Sequence, residues 1–218
     1  VYLVLRVDLD YVPWDTPDAK EFGHSEPATL LRMLEVARKT GYKYHFFASI
    51  RVLRAFPAAI EALLGEGHEL DWYCKDPLRL EELHAEAKDL GHRLDQTLQG
   101  LSVKGEWPAE APEPGPLGLR FLSARAGAEP ESVRMFPVQT HGDREGVRAG
   151  QSMRLWADEV RAKLRDSAML NRGETLVFRP QVLGKVDPNL RIVREIIELG
   201  LAVGLRNRTL RDLVAESA

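Results

Sequence analysis

The sequence predicts an α/β protein: a closed or nearly closed (β/α) barrel of about seven or eight strands, in a single domain spanning residues 1–218. Three observations carry that expectation. Apolar runs of strand length alternate with amphipathic stretches of helix length, the pattern of a parallel sheet covered by helices. So many strands within 218 residues suit a barrel slightly smaller than the usual eightfold one. An open doubly wound sheet is the alternative, but no glycine-rich phosphate loop follows the first strand, which counts against nucleotide chemistry.

Strands are expected at 2–7, 42–47, 69–73, 100–104, 118–123, 133–138, 175–179 and 201–204. The first is the apolar run Tyr2-Leu3-Val4-Leu5-Arg6-Val7. The first helix runs from about Pro27 to Lys39, with Ser25 as its cap, Pro27 in its first turn and Gly41 just past its end. Further helices are expected at about 57–64, 78–98, 152–168, 188–199 and 208–216. Asp187-Pro188 supplies a start signal and Gly200 a stop signal for the helix carrying Ile192, Val193, Ile196, Ile197 and Leu199, whose apolar face should pack on the sheet. Two loops, Tyr11 to His24 and the proline-rich Glu106 to Gly115, have the length of functional covers.

Composition narrows the function. With 44% hydrophobic and 29% charged residues the chain can bury a substantial core. Thirty basic side chains against thirty-three acidic ones leave a net charge of −3, no electrostatic case for nucleic acid or an anionic membrane. No stretch approaches the roughly 18 apolar residues of a membrane span. The single cysteine, Cys74, excludes an intramolecular disulfide and fits a reducing compartment. No secretion signal is visible in the sequence, and the expectation is a cytoplasmic protein acting on a small-molecule or carbohydrate ligand.

Asp8 and Asp10 follow the first apolar run, where a buried strand should emerge into solvent. Strand side chains alternate between faces, so the two carboxylates point the same way. Like charges that close need a metal, a cation or a shared proton.

Several segments, in order, make the chain resemble the polysaccharide deacetylase family, the NodB-homology carbohydrate esterases. Arg6-Val7-Asp8-Leu9-Asp10 resembles its first motif, and Tyr44-His45-Phe46-Phe47-Ala48 its second strand. Gly65-Glu66-Gly67-His68-Glu69-Leu70 is similar to the run entering strand three. Met135-Phe136-Pro137-Val138 resembles a later proline-containing strand, and Thr175-Leu176-Val177-Phe178-Arg179-Pro180 the last motif, where a catalytic His-Pro follows an apolar strand. The resemblance implies a distorted (β/α) barrel of about seven strands, a divalent metal (zinc or another first-row ion) held by one Asp and two His, a second Asp as base, and N-deacetylation of an amino sugar. In such chemistry the metal polarises the amide carbonyl and acidifies water, a carboxylate takes the water proton, and a histidine returns one to the leaving amine.

Carried over residue by residue, Asp8 matches the base and Asp10 the metal ligand, although the family more often places the two side by side. The metal histidines fall on Tyr73 and Pro77, and the final histidine on Arg179, which cannot donate a proton because guanidinium stays charged. Three readings follow. The first is a divergent metal-assisted hydrolase of a C–N amide, its site rebuilt from Asp10, His141 and Asp71, with Asp8 and Arg179 at the catalytic positions. The second is an inactive relative, without a cofactor, that binds a carbohydrate or related ligand, Arg179 neutralising the carboxylates. The third is another metal-dependent hydrolase using Asp71 or Cys74. Trp14, Tyr73, Trp107 and Lys104 are the expected substrate contacts, aromatic faces suiting sugar rings.

Overall fold

The computed structural model describes residues 1–10, 26–138, 142–143 and 150–216. In chain order the elements are β1 (Tyr2–Leu9), α1 (Glu26–Thr40), β2 (His45–Ala48), α2 (Ile50–Ala55), α3 (Pro57–Gly65), β3 (Glu69–Cys74), α4 (Leu80–Arg93), β4 (Gly100–Glu106), β5 (Phe121–Arg125) and β6 (Arg134–Pro137). They continue with α5 (Met153–Met169), β7 (Glu174–Phe178), α6 (Pro180–Val186), α7 (Arg191–Ala202), β8 (Arg206–Asn207) and α8 (Leu210–Ala215). Every described strand pair is parallel. The strand order is β6-β5-β4-β3-β2-β1-β7, with β8 also beside β1. β1 to β6 succeed one another without a reversal point and β7 returns to the other side of β1, the winding of a (β/α) barrel rather than of a doubly wound sheet.

Two compact units share β1. The first holds Val1–Val7 with the described parts of 11–44 and 140–208. Here β1 runs beside β7, with Leu3 opposite Glu174 and Val7 opposite Phe178. Every residue from Leu3 to Leu9 is buried, which is why the strand reads as a largely apolar run, interrupted by Arg6 and Asp8. Helix α7 packs its Val193, Ile196 and Ile197 inward, as its periodicity predicts. Asp187 is the start signal, but the helix begins at Arg191: the carboxylate accepts the backbone N–H groups of Arg191, Ile192 and Val193 at 2.9, 2.8 and 3.3 Å.

Gly200 is not the stop. It lies inside α7, where an added Cβ would meet Leu3 Cδ2 at 2.7 Å, so its lack of a side chain serves packing. The helix ends at Ala202 and the chain turns at Gly204, whose φ of +85° suits glycine, with Leu205 N–H returning to the Gly200 carbonyl at 2.9 Å. The strand expected at 201–204 is therefore helix end and turn, and β8 starts at Arg206.

The second unit holds Asp8–Asp10 and the described parts of 45–139 and 209–218. The outer face of β3, β4 and β5 carries Trp72, Cys74, Leu101, Val103, Leu122 and Ala124, buried with Leu80 and Ala87 of α4. Two helices, α2 and α6, had no expectation from sequence; α2 is capped by Ser49, whose side chain accepts from Val52 N. No helix among the described residues is long and apolar enough to cross a membrane.

Candidate functional site at the strand ends

In the second unit the side chains that alternate away from the outer cluster form three levels. Phe47, Asp71 and Phe121 lie lowest. Next come Tyr73, Ser102 and Ser123, opposite one another on adjacent strands and all buried. Two residues further along each strand stand Lys75, Lys104 and Arg125. The register slips by two residues between Ser102 and Glu106, which preserves the alternation. The same parity carries Trp107 to the outer face with Leu101 and Val103. It is 3% exposed in the hydrophobic cluster, a core residue rather than the substrate contact expected.

The acidic pair faces this inner column. Asp8, 2% exposed at the end of β1, lies 3.5 Å from Ser102 Oγ, the outer limit of a hydrogen bond. Asp10 stands just past the strand with Lys75 Nζ 2.9 Å from its Oδ1, an ion-pair distance without the alignment of a hydrogen bond. Burial raises the Asp10 carboxyl above its ordinary range; contacts with Lys75 and Ser49 pull it back, and the Asp8 charge adds to the rise. Asp10 thus faces a cation supplied by the chain itself.

Asp71 is held differently. Its Oδ1 accepts from the backbone N–H groups of Gln99 and Gly100 at 2.7 and 2.8 Å and from Arg211 Nη2 at 2.8 Å. Its Oδ2 takes His45 Nε2 and Arg211 Nε, both at 2.9 Å. Burial alone would raise this carboxyl, but His45 and Arg211 outweigh it and hold it below the usual range. With five donors on two oxygens and no exposure, Asp71 has no direction left for a metal. It is a structural anchor for α8, which corrects its place in the expected ligand set.

The remaining donors do not assemble a metal site either. Tyr73 and Pro77 occupy the positions where the family resemblance puts imidazoles. Cys74 is buried in the outer cluster, its thiol pushed up to about 11 by burial. Among the described residues no group of three or more His, Cys, Asp or Glu could hold a metal ion. His141 and Trp14 lie outside the described residues, as do His24 and the cap at Ser25. The described donor set does not fit the metal that the resemblance implies.

In the first unit Arg179 immediately precedes α6. Its backbone N–H donates to Asp143 Oδ2 at 2.7 Å and its Nη1 to Asp143 Oδ1 at 3.3 Å, Asp143 being fully buried. Arg179 stands where the family resemblance puts the final histidine, and it is a guanidinium, tied to a buried carboxylate, that stays protonated and does not act as an acid.

Known structures share this fold. A protein from Mycobacterium smegmatis named as a polysaccharide deacetylase superposes with a TM-score of 0.76 at 13% identity, over 99% of this chain and 89% of that one. The fold is that of the polysaccharide deacetylases. An allantoinase shares this deacetylase fold, with a TM-score of 0.74 at 12% identity over 98% of this chain and 89% of its own. So does a carbohydrate esterase family 4 pseudoenzyme from Bacillus anthracis, with a TM-score of 0.62 at 10% identity over 98% of this chain and 65% of its own. No protein-family model matches the chain, and no curated protein is similar in sequence.

Sequence reasoning missed Lys75, Ser102 and Asp143 as site residues. Lys75 carried a usable signal: it alternates from Tyr73 to the same face and sits between the two positions where the resemblance expects metal ligands.

Proposed function

We propose that this protein uses the deacetylase fold to bind a carbohydrate or related polyhydroxylated ligand at the strand ends, without metal-assisted hydrolysis. The observation that carries this reading is the Lys75 ammonium 2.9 Å from Asp10. An ammonium is a donor only, so it satisfies the carboxylate that the family offers to a metal and cannot itself become a ligand while charged. Tyr73, Pro77 and Arg179 support the reading, since each replaces a histidine that the chemistry requires.

The test is elemental analysis after incubation with zinc, cobalt or manganese, paired with acetate release from N-acetylated amino sugars. The expected result is no stoichiometric metal and no turnover. Metal-dependent turnover that disappears in Asp10→Asn would overturn the proposal.

A second reading is metal-assisted hydrolysis of a C–N bond, with Asp8 as base and Asp10 and His141 as ligands. It draws on the acidic pair at the end of β1 and on the names of the neighbours, a deacetylase and an allantoinase. The third reading loses its motive, because Asp71 is saturated and Cys74 faces the core.

A further inference from the structure

We infer a second binding site, on the helices of the first unit: a groove between α5 and α7 that takes the phosphate group of a small molecule. It goes beyond the strand-end reading and does not depend on it, because every residue involved belongs to the first unit. The groove has a volume of about 530 Å³, within the range of small-molecule sites. Arg154, Ala157, Asp158 and Arg161 line it from α5, at a spacing that brings them to one helix face, and Arg191 and Glu195 line it from α7. Ala157 is 1% exposed, and its single methyl leaves open the space that a longer side chain would fill between the two arginines of α5.

Charge in the groove is not balanced. Arg161 is held from both sides: its Nη1 donates to Asp158 Oδ1 at 2.6 Å and its Nη2 to Glu195 Oε2. Glu195 Oε1 accepts from Arg191 Nε at 2.9 Å. These contacts with Arg191 and Arg161 hold Glu195 below the usual carboxylate range, so it stays charged and committed to them. Asp158 stands one helical turn from Arg154 yet bonds Arg161, and among the described residues Arg154 has no hydrogen bond or ion pair. The Nη groups of Arg191 likewise donate to nothing among the described residues. Three guanidiniums thus face two carboxylates, and unused donors line both walls. Guanidinium donates in a planar fork, and a lone carboxylate fills only one fork. A phosphate monoester presents three oxygens and about −1.5 to −2 charges near neutral pH, which suits forks offered from two helices. Glu195 holds the Nε of Arg191 and so pre-sets its open Nη pair.

The test is calorimetry of the full chain at low salt and near neutral pH with three probes: inorganic phosphate, glycerol 3-phosphate and acetate. One or both phosphates are expected to bind saturably, at least about tenfold more tightly than acetate, and to weaken as sodium chloride is raised. The two phosphate arms separate the free ion from an esterified group. Arg154→Gln and Arg191→Gln should each weaken binding at least about fivefold, with a melting temperature within about 2 °C of the wild type, since both side chains are exposed. Arg194→Gln removes an exposed arginine of α7 that pairs with Glu198 and does not line the groove, and it should leave binding unchanged. Acetate binding as tightly as both phosphates would overturn the phosphate assignment. No saturable binding of either phosphate would overturn the site. So would a loss in Arg194→Gln as large as that in Arg154→Gln, the mark of diffuse surface charge. None of these outcomes touches the strand-end reading, which stands or falls on metal uptake and acetate release.

Discussion

Replacing Asp71 by Asn keeps the shape of a fully buried side chain and removes only its charge and one acceptor. Whichever way the new amide turns, its NH2 faces donors: His45 Nε2 and Arg211 Nε on one side, or Gln99 N, Gly100 N and Arg211 Nη2 on the other. His45 cannot adapt by exchanging tautomers, because its Nδ1 already accepts from Leu210 N at 3.0 Å. The substitution thus leaves donors unsatisfied and removes the counter-charge of Arg211. Breaking such a buried pair costs about 3–5 kcal/mol, a large part of the roughly 5–15 kcal/mol that holds a domain together. At about 2–4 °C per kcal/mol for a chain of this size, the melting temperature should fall by roughly 6–20 °C. Urea and thermal unfolding followed by circular dichroism read both quantities. The folded Asp71 titrates below its ordinary range, so its contribution is complete above about pH 4 and lost as the pH falls through the lower folded value. The difference between wild type and Asp71→Asn should therefore be flat from about pH 5 to 8 and shrink only in acid. A loss below about 1 kcal/mol at pH 7 would refute the reasoning, since that is the scale of an ordinary surface change.

Other substitutions probe the remaining links. Gly200→Ala drives a methyl against Leu3, and the overpacking less the roughly 1 kcal/mol that alanine gains over glycine in a helix leaves a cost of up to about 2 kcal/mol, read from the urea midpoint at unchanged slope. Cys74, buried and with its thiol raised to about 11, should resist a thiol reagent at pH 8 in the native protein and react promptly once the chain is unfolded. Lys75→Met removes the contact that pulls Asp10 down, so a carboxyl-carbon NMR titration should place Asp10 higher still than in the wild type. Lys75→Ala combined with Tyr73→His and Pro77→His should gain zinc by elemental analysis where the wild type does not, because it exchanges a cation for two neutral ligands beside Asp10.

The (β/α) architecture was legible in the sequence because strand-length apolar runs and helical periodicity both follow from burial. β1 is buried on both faces and α7 on one, and each reads accordingly. The misplaced strand at 201–204 shows the limit: Leu201-Ala202-Val203 suits either element, and only the contact of Gly200 with Leu3 reveals that the helix continues. The end of β1 was legible as a site because two carboxylates one residue apart cannot be left in a core. Which residues answer them was not, because Lys75, Ser102 and Asp71 take their roles from register between strands, a long-range property. Trp107 and Asp71 were read as site residues from their place at strand ends. The side of the strand and the number of waiting donors decided otherwise.

Lys75 bears directly on whether a metal could sit beside Asp10. A divalent ion beside Asp10 would meet the Lys75 ammonium as well, and a +2 and a +1 charge 4 Å apart repel by on the order of 8 kcal/mol at an effective dielectric of 20, before solvent screening. With its side chain 47% exposed, Lys75 feels much of that screening, yet the sign is fixed. An ammonium beside Asp10 opposes a divalent ion there and at the same time compensates the charge of the carboxylate. Without Lys75, Asp10 would be left raised by burial and by its neighbour Asp8, with only Ser49 lowering it. The cation in that place makes the site self-consistent without metal. For that reason the ligand-binding reading predicts a folded, stable mouth in the presence of a chelator, and the metal-assisted reading predicts that Lys75 must move before anything can bind.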